Sequence, residues 1–387
     1  MNANNGVDLR RLSITEWKPI TGTLPPTTPE AWESEFAKYR ASPEFALLNP
    51  HMTLDEFKKI YFMEWAHRVW GRFIGVSFVL PAVYFAARRR VSAPMAWNLA
   101  GISLLIGFQG VVGWWMVKSG LKDDLFAPGS HPRVSQYRLT AHLATAFVAY
   151  GWMFMSGLKV LRNRGALKDP AAALAAAQGL NSPVLRRFRL VATLLTALVF
   201  ATAMSGALVA GLDAGLIYNE FPKMGVGLAP PSSELWSEFY SRREDRSDLW
   251  WRNMLENPST VQLQHRILAT TALCAVLTVF AYARSGARKV ALPSSLRKGA
   301  TGMVHLTLMQ VTLGISTLIY MVPTWLGALH QAGSLAVLTG ALLLAHRARA
   351  PSARMLAHLR AMPQVQISAG QQAQAAAVRA SNISKAM

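Results

Sequence analysis

The chain is poor in acid, almost without cysteine, and sparing with charge of either sign. Against 40 lysines and arginines it has 20 aspartates and glutamates, and charged residues make up 16% of its 387 positions. With 52% hydrophobic residues and a positive mean hydropathy, so little charge excludes an ordinary soluble domain. The single cysteine, Cys274, excludes an internal disulfide, and its place in an apolar run predicts a packing residue. Residues 1–60 hold no apolar h-region, so no cleavable signal is read there. A formal charge of +20 would point to nucleic acid in a soluble chain. Beside membrane spans it reports topology first, and nucleic acid is not an expected partner.

What the chain does have is long apolar runs. Seven windows of about 20 mostly apolar residues match a hydrocarbon core ~30 Å thick: 69–87, 97–117, 139–158, 188–210, 261–283, 300–322 and 325–346. The connections 88–96, 159–187 and 284–299 carry Arg88, Arg89, Arg90, Arg162, Arg164, Arg186, Arg284, Arg288, Lys289 and Lys298, with Asp169 their one acid. These loops are expected to face the cytoplasm. The other 19 acids fall in 1–66, 118–138 and 211–260, which then share the opposite side. The expectation is an all-α polytopic protein of the bacterial inner membrane. Its organisation reads as an outer, periplasmic segment 1–66, a first bundle 67–160, a cytoplasmic linker 161–187, a second bundle 188–347 with outer loop 211–260, and a disordered cytoplasmic tail 348–387.

The two bundles look like copies. Leu12–Pro26, "LSITEWKPITGTLPP", aligns with Leu216–Pro231, "LIYNEFPKMGVGLAPP", and each leads through Trp32 and Phe36, or Trp236 and Phe239, to a His-Arg pair. Gln109 and Gly113 in "FQGVVGW" match Gln310 and Gly314 in "MQVTLGI", positions read as helix packing; His142 matches His330. Matching helices cross in one direction, so the predicted fold is two parallel-repeat four-helix bundles. The span Phe188–Ala210 has no counterpart before Leu12. Seven spans are therefore seen and eight expected, on the reading that the start codon is misassigned and an opening helix lies upstream.

Each outside-to-inside span carries one histidine near its start: His67, His142, His265 and His330. At 1.5 Å rise per residue, the four rings lie within about 10 Å of the outer interface, two per repeat. Neutral imidazole ligates iron, and facing helices bring two rings to opposite faces of a haem. The plainer reading is a polar membrane histidine bonded to a neighbouring helix. It suffices for one such residue but leaves four matched positions unexplained. Zinc or copper fits less well, because Cys and carboxylate company is missing. His305 reads as structural, and His51, His131, His346 and His358 as surface residues.

Arg68 and Arg266 follow their histidines and Arg72 lies one turn deeper, so their guanidinium forks offer bidentate sites for propionates; interfacial snorkelling is the equal alternative. Trp114, Trp115 and Trp325 fit an aromatic belt. Glu64 stands three residues before His67, where the second copy has Gln262. An ion pair with Arg68 or Arg72 accounts for it structurally. A charge present in one site and missing from its duplicate also marks a reactive copy beside one that holds a permanent cofactor.

The motifs "LSITEWKPITG", "EWAHRVWGRFIG", "QGVVGWWMVKSGL", "AGLDAGLIYNEFPKMG" and "QHRILA" resemble the haem A synthase family of the proteobacterial and mitochondrial type. The likeness covers residues 12 to about 347 in order. It implies oxidation of the C8 methyl of haem O to a formyl group by two successive hydroxylations, with oxygen from water, giving haem A for cytochrome oxidase. It further implies that His265 and His330 are axial ligands of a bound haem b, and that Glu64, His67 and His142 belong to the substrate site. The cysteine pair that some members carry in the first outer loop is missing here. A haem O synthase upstream and an unidentified electron acceptor are the partners implied, and a homo-oligomer stays open. Two rival functions are a di-haem b-type membrane electron-transfer cytochrome, which leaves the Glu64 and Gln262 difference unexplained, and a transporter, which rests on the repeats alone.

Overall fold

Why α3 starts so early is a matter of local chemistry. In the computed structural model, which describes residues 13–16, 24–126, 132–180, 182–286 and 292–363, helix α3 runs Leu54–Ala87, beginning well before the apolar run that predicted a span from residue 69. Thr53 and Glu56 form a capping box: the Thr53 N–H donates to the Glu56 carboxylate at 2.9 Å, and Thr53 Oγ1 accepts the Glu56 N–H at 3.4 Å. The early turns of α3 also have a core of their own. Helices α1 (Pro29–Arg40) and α2 (Pro43–Leu48), each opened by a capping hydroxyl and a proline, pack there. Phe36, Tyr39, Phe57, Ile60, Tyr61 and Ile14 are buried together, with Tyr39 stacked on Phe57 at 5.4 Å.

The remaining elements are α4 (Ala93–Ser119), α5 (Gln136–Lys168), α6 (Pro170–Gly179), α7 (Pro183–Gly211), the single turn α8 (Ser232–Leu235), α9 (Leu249–Glu256), α10 (Pro258–Arg284), α11 (Ser294–Ile319), α12 (Thr324–Arg347) and α13 (Ala353–Arg360). Seven of these, α3, α4, α5, α7, α10, α11 and α12, are long and apolar enough to cross a membrane. Among the described residues no strand forms. The chain is thus an all-α protein with seven candidate spans. Short basic connections such as Arg88–Arg90 leave α3 and α4 side by side, an antiparallel pair.

The chain divides into two compact units. One gathers Met1–Tyr150, Phe200–Thr271 and Met309–Leu335; the other holds Gly151–Val199, Ala272–Leu308 and Ala336–Met387. All four span histidines belong to the first. The loop between α7 and α10 lies there too, and it is tied by charge. Asp213 pairs with Arg133, and Tyr137 Oη donates to Glu256 at 2.9 Å. Burial works against the charge of Asp248, but hydrogen bonds from Ser241, Arg252 and the Arg242 N–H outweigh it and hold the carboxyl well below the usual range. Tyr218 donates to Glu234 at 2.6 Å; that bond and its burial push the phenol up to about 12.

Two readings of single residues change. Cys274 is exposed on α10 instead of packed, because the helix turns that face outward. His346, in the last turn of α12, is buried instead of lying on the surface. His51 and His358 are exposed as expected. His131 and the tail beyond Pro363 lie outside the described residues.

Candidate functional site: two facing histidine pairs

The histidines meet in twos. His67 on α3 faces His142 on α5 with ring centroids 6.4 Å apart and planes at 73°. His265 on α10 faces His330 on α12, again at 6.4 Å, with planes at 88°. Two metal–imidazole bonds of about 2.0 Å, with each ring centroid about 1.2 Å behind its nitrogen, add to roughly 6.4 Å, which matches the centroid separation of each pair. Among the described residues no group of three or more His, Cys, Asp and Glu converges to hold a bare ion. Two-ligand sites suit a porphyrin, which brings four equatorial nitrogens of its own.

Small residues allow the approach. A Cβ on Gly113 of α4 would meet His142 Cε1 at 3.0 Å, one on Gly206 of α7 would meet His265 Cε1 at 3.1 Å, and one on Gly314 of α11 would meet His330 Cε1 at 2.8 Å. Each ring therefore lies against the bare backbone of a neighbouring helix. Gly113 and Gly314, read from the sequence as helix packing, are packing positions for imidazoles.

Polar neighbours distinguish the pairs. Ser205 Oγ lies 2.8 Å from His265 Nδ1 and donates its own proton to the Thr202 carbonyl at 2.7 Å. Gln310 Nε2 donates to the His330 carbonyl at 2.9 Å and lies 3.1 Å from His330 Nδ1. Its matched residue, Gln109, donates to the His142 carbonyl at 2.8 Å, but its Oε1 is taken by the Thr145 hydroxyl. His142 Nδ1 is buried without a partner. Gly333 stands three residues after His330, as Thr145 does after His142, and Gln310 Oε1 fills the space a Cβ would need.

Glu64 and Arg68 clasp the segment 13–16. Glu64 Oε2 accepts from the Ser13 N–H, the Ser13 hydroxyl and the Ile14 N–H at 2.8, 2.8 and 2.9 Å; Oε1 accepts from Arg68 Nε and Nη2 at 3.1 and 2.6 Å. Arg68 also donates to the Ile14 and Glu16 carbonyls. In the second half Gln262 donates to the carbonyls of Ala214 and Ile217 at 2.6 and 2.5 Å and accepts from Arg266 at 3.0 Å. Arg266 grips the Tyr218 and Glu220 carbonyls, the counterparts of Ile14 and Glu16. The acid stands where the backbone presents N–H groups, and the amide where it presents carbonyls. Arg72, one turn deeper on α3, is half-buried. Ser205, Gly206 and Thr145 escaped the sequence reading; the available cue was that Ser205 lies six residues from the end of α7, as His142 and His330 lie six from the starts of α5 and α12.

Seven long apolar helices, four of them carrying the facing imidazoles, fit a multi-pass membrane protein. The chain belongs to the COX15-CtaA family of cytochrome oxidase assembly proteins, whose model matches residues 11–342. It is 51% identical over 345 residues to Heme A synthase COX15 of Saccharomyces cerevisiae, covering 89% of this chain and 71% of the relative. It is 50% identical to a Heme A synthase-mitochondrial ferredoxin fusion protein of Schizosaccharomyces pombe, covering 87% of this chain and 55% of that longer protein. With the Heme A synthase of Nitrosospira multiformis it shares 42% identity over 87% of this chain and 85% of the relative. No solved structure matches.

Proposed function

We propose that the chain is a haem A synthase, an inner-membrane oxidoreductase that converts the C8 methyl of haem O to a formyl group by two successive hydroxylations with water as oxygen source. The observation that carries this is the pair of histidine couples, each at the separation an iron between two imidazoles requires. The relatives' names support haem A as the product, and the oxidation at the C8 methyl is what the family resemblance implies. In this reading the histidines lie toward the periplasmic side, the C-terminus is cytoplasmic, and the bundles 67–160 and 188–347 serve the substrate and the resident haem respectively.

His67 and His142 hold the iron of haem O, and the exposed His67 ring leaves that site the more accessible. His265 and His330 hold a haem b, which supplies one-electron redox chemistry when bound. Arg68, Arg72 and Arg266 would supply positive charge to the propionates, while Arg68 and Arg266 also hold the segments around Ile14 and Tyr218. Each hydroxylation removes two electrons and two protons from methyl plus water. Glu64, with three donors on one oxygen and two on the other, has no lone pair turned free for a proton. Its contribution is therefore a fixed negative charge that favours positive charge developing at the methyl carbon, rather than proton abstraction. The fusion of one relative to a ferredoxin supports an electron partner of that class. A haem O synthase is the natural upstream contact.

The test is to co-express the chain with a haem O source and extract the haems. Haem A should appear with wild type and vanish with His67→Ala, which should keep the haem b spectrum. Bound haem with haem O left unchanged would instead establish a di-haem electron-transfer cytochrome.

A further inference from the structure

Ser205 carries no role in any of this, yet its geometry determines the state of its neighbour. A serine hydroxyl has one proton. Here that proton goes to the Thr202 carbonyl at 2.7 Å, the usual back-bond of a helical serine. With its proton placed there, Ser205 Oγ presents a lone pair to His265 Nδ1, 2.8 Å away. A lone pair there requires the imidazole proton on Nδ1, which leaves Nε2 bare. The nitrogen that would face the iron is thus made a ligand before any iron arrives. Gly206, the next residue, lets the same turn of α7 lie against the ring, with the Cβ position only 3.1 Å from His265 Cε1. Two adjacent residues of α7 thus lie against one imidazole.

We propose that Ser205 is a positioning residue that acts through His265, locking the Nδ1–H tautomer so that the second histidine pair retains its haem while the first exchanges it. The contrast within the protein supports the division. His142 Nδ1 is buried with no partner, and the amide oxygen of Gln109 lies against the Thr145 hydroxyl. Gln310, at the matching place in the second half, has an Oε1 without a partner beside His330. Its Nε2, a donor only, faces His330 Nδ1 at 3.1 Å, so the lone-pair contact is particular to His265. Hydrogen bonds to the distal nitrogen raise imidazole basicity and restrict ring rotation, and losing one weakens metal binding by about 10- to 100-fold.

This inference rests on the proposed haem reading, and the experiment separates them. Purified full-length wild type, Ser205→Ala, Ser205→Thr and His265→Ala are loaded with haem b, and haem transfer to excess apomyoglobin is timed alongside the low-spin ferric absorbance. Ser205→Ala should release haem from the slow, second-site phase about 10- to 100-fold faster, with Ser205→Thr restoring most of the retention because its hydroxyl can make both bonds. A Ser205→Ala protein whose slow phase matches wild type, while His265→Ala abolishes that phase, overturns the role of Ser205 and leaves haem ligation standing. Absence of haem from wild type overturns both. Equal acceleration in Ser205→Ala and Ser205→Thr also overturns it, since packing rather than the hydroxyl would then be responsible.

Discussion

Replacing Gly314 by alanine sets two effects of opposite sign against each other. Alanine is favoured over glycine within a helix by about 1 kcal/mol, so α11 itself should gain. The new methyl, however, would lie 2.8 Å from His330 Cε1. Carbon–carbon contacts settle at about 3.5–4.0 Å, so ring or backbone must yield by roughly 0.7–1.2 Å. Ligand distances tolerate only about 0.2 Å, several times less than that shift. The second pair should lose its iron bond at His330, turning a low-spin spectrum high-spin and lowering haem content, while the haem-free protein melts no earlier than wild type. Gly302→Ala on the same helix is the control, because nothing lies within 4 Å of its Cβ position. Gly113→Ala and Gly206→Ala, at 3.0 and 3.1 Å, should show the same defect more weakly at His142 and His265. Full haem content with an unaltered low-spin spectrum in Gly314→Ala would refute the reasoning.

Glu64→Gln keeps the shape but removes the charge paired with Arg68 and turns a donor toward the N–H groups of Ser13 and Ile14; segment 13–16 should loosen by about 1–3 kcal/mol. Haem A output should stall while the second-site spectrum is unchanged, and normal output removes Glu64 from the mechanism. Arg266→Lys cannot span the Tyr218, Glu220 and Lys223 carbonyls with one ammonium, so limited proteolysis should cut the outer loop faster; equal rates contradict the clasp. Thr145→Ala frees Gln109 to serve His142 Nδ1, and haem should leave the first site several-fold more slowly in a transfer assay; unchanged release sinks that assignment. Asp248 has a folded pKa below its unfolded value of about 3.9, so its stabilisation is complete above that pH and is lost as pH falls further. Fluorescence from Trp250 and Trp251 should hold steady from pH 7 to about 4 and change below; a change near pH 6 speaks against the network.

Much of the architecture was legible because a bilayer imposes a length and a polarity that any span must meet. Cys274 and His346 were misjudged because composition along the chain does not say which way a helix face turns. Glu64 shows the difference most clearly. Its contrast with Gln262 was visible as letters, but only the folded chain reveals backbone N–H groups opposite one and carbonyls opposite the other.

The order of residues by itself determined the seven apolar helices, the family and the four histidines at matching positions, since these follow from hydrophobic runs and local spacing. Which ring faces which, at 6.4 Å, and that Ser205 and Thr145 are the side chains beside them, came only with tertiary structure. Those contacts join residues tens of positions apart, and whether such residues meet depends on how the helices pack against each other.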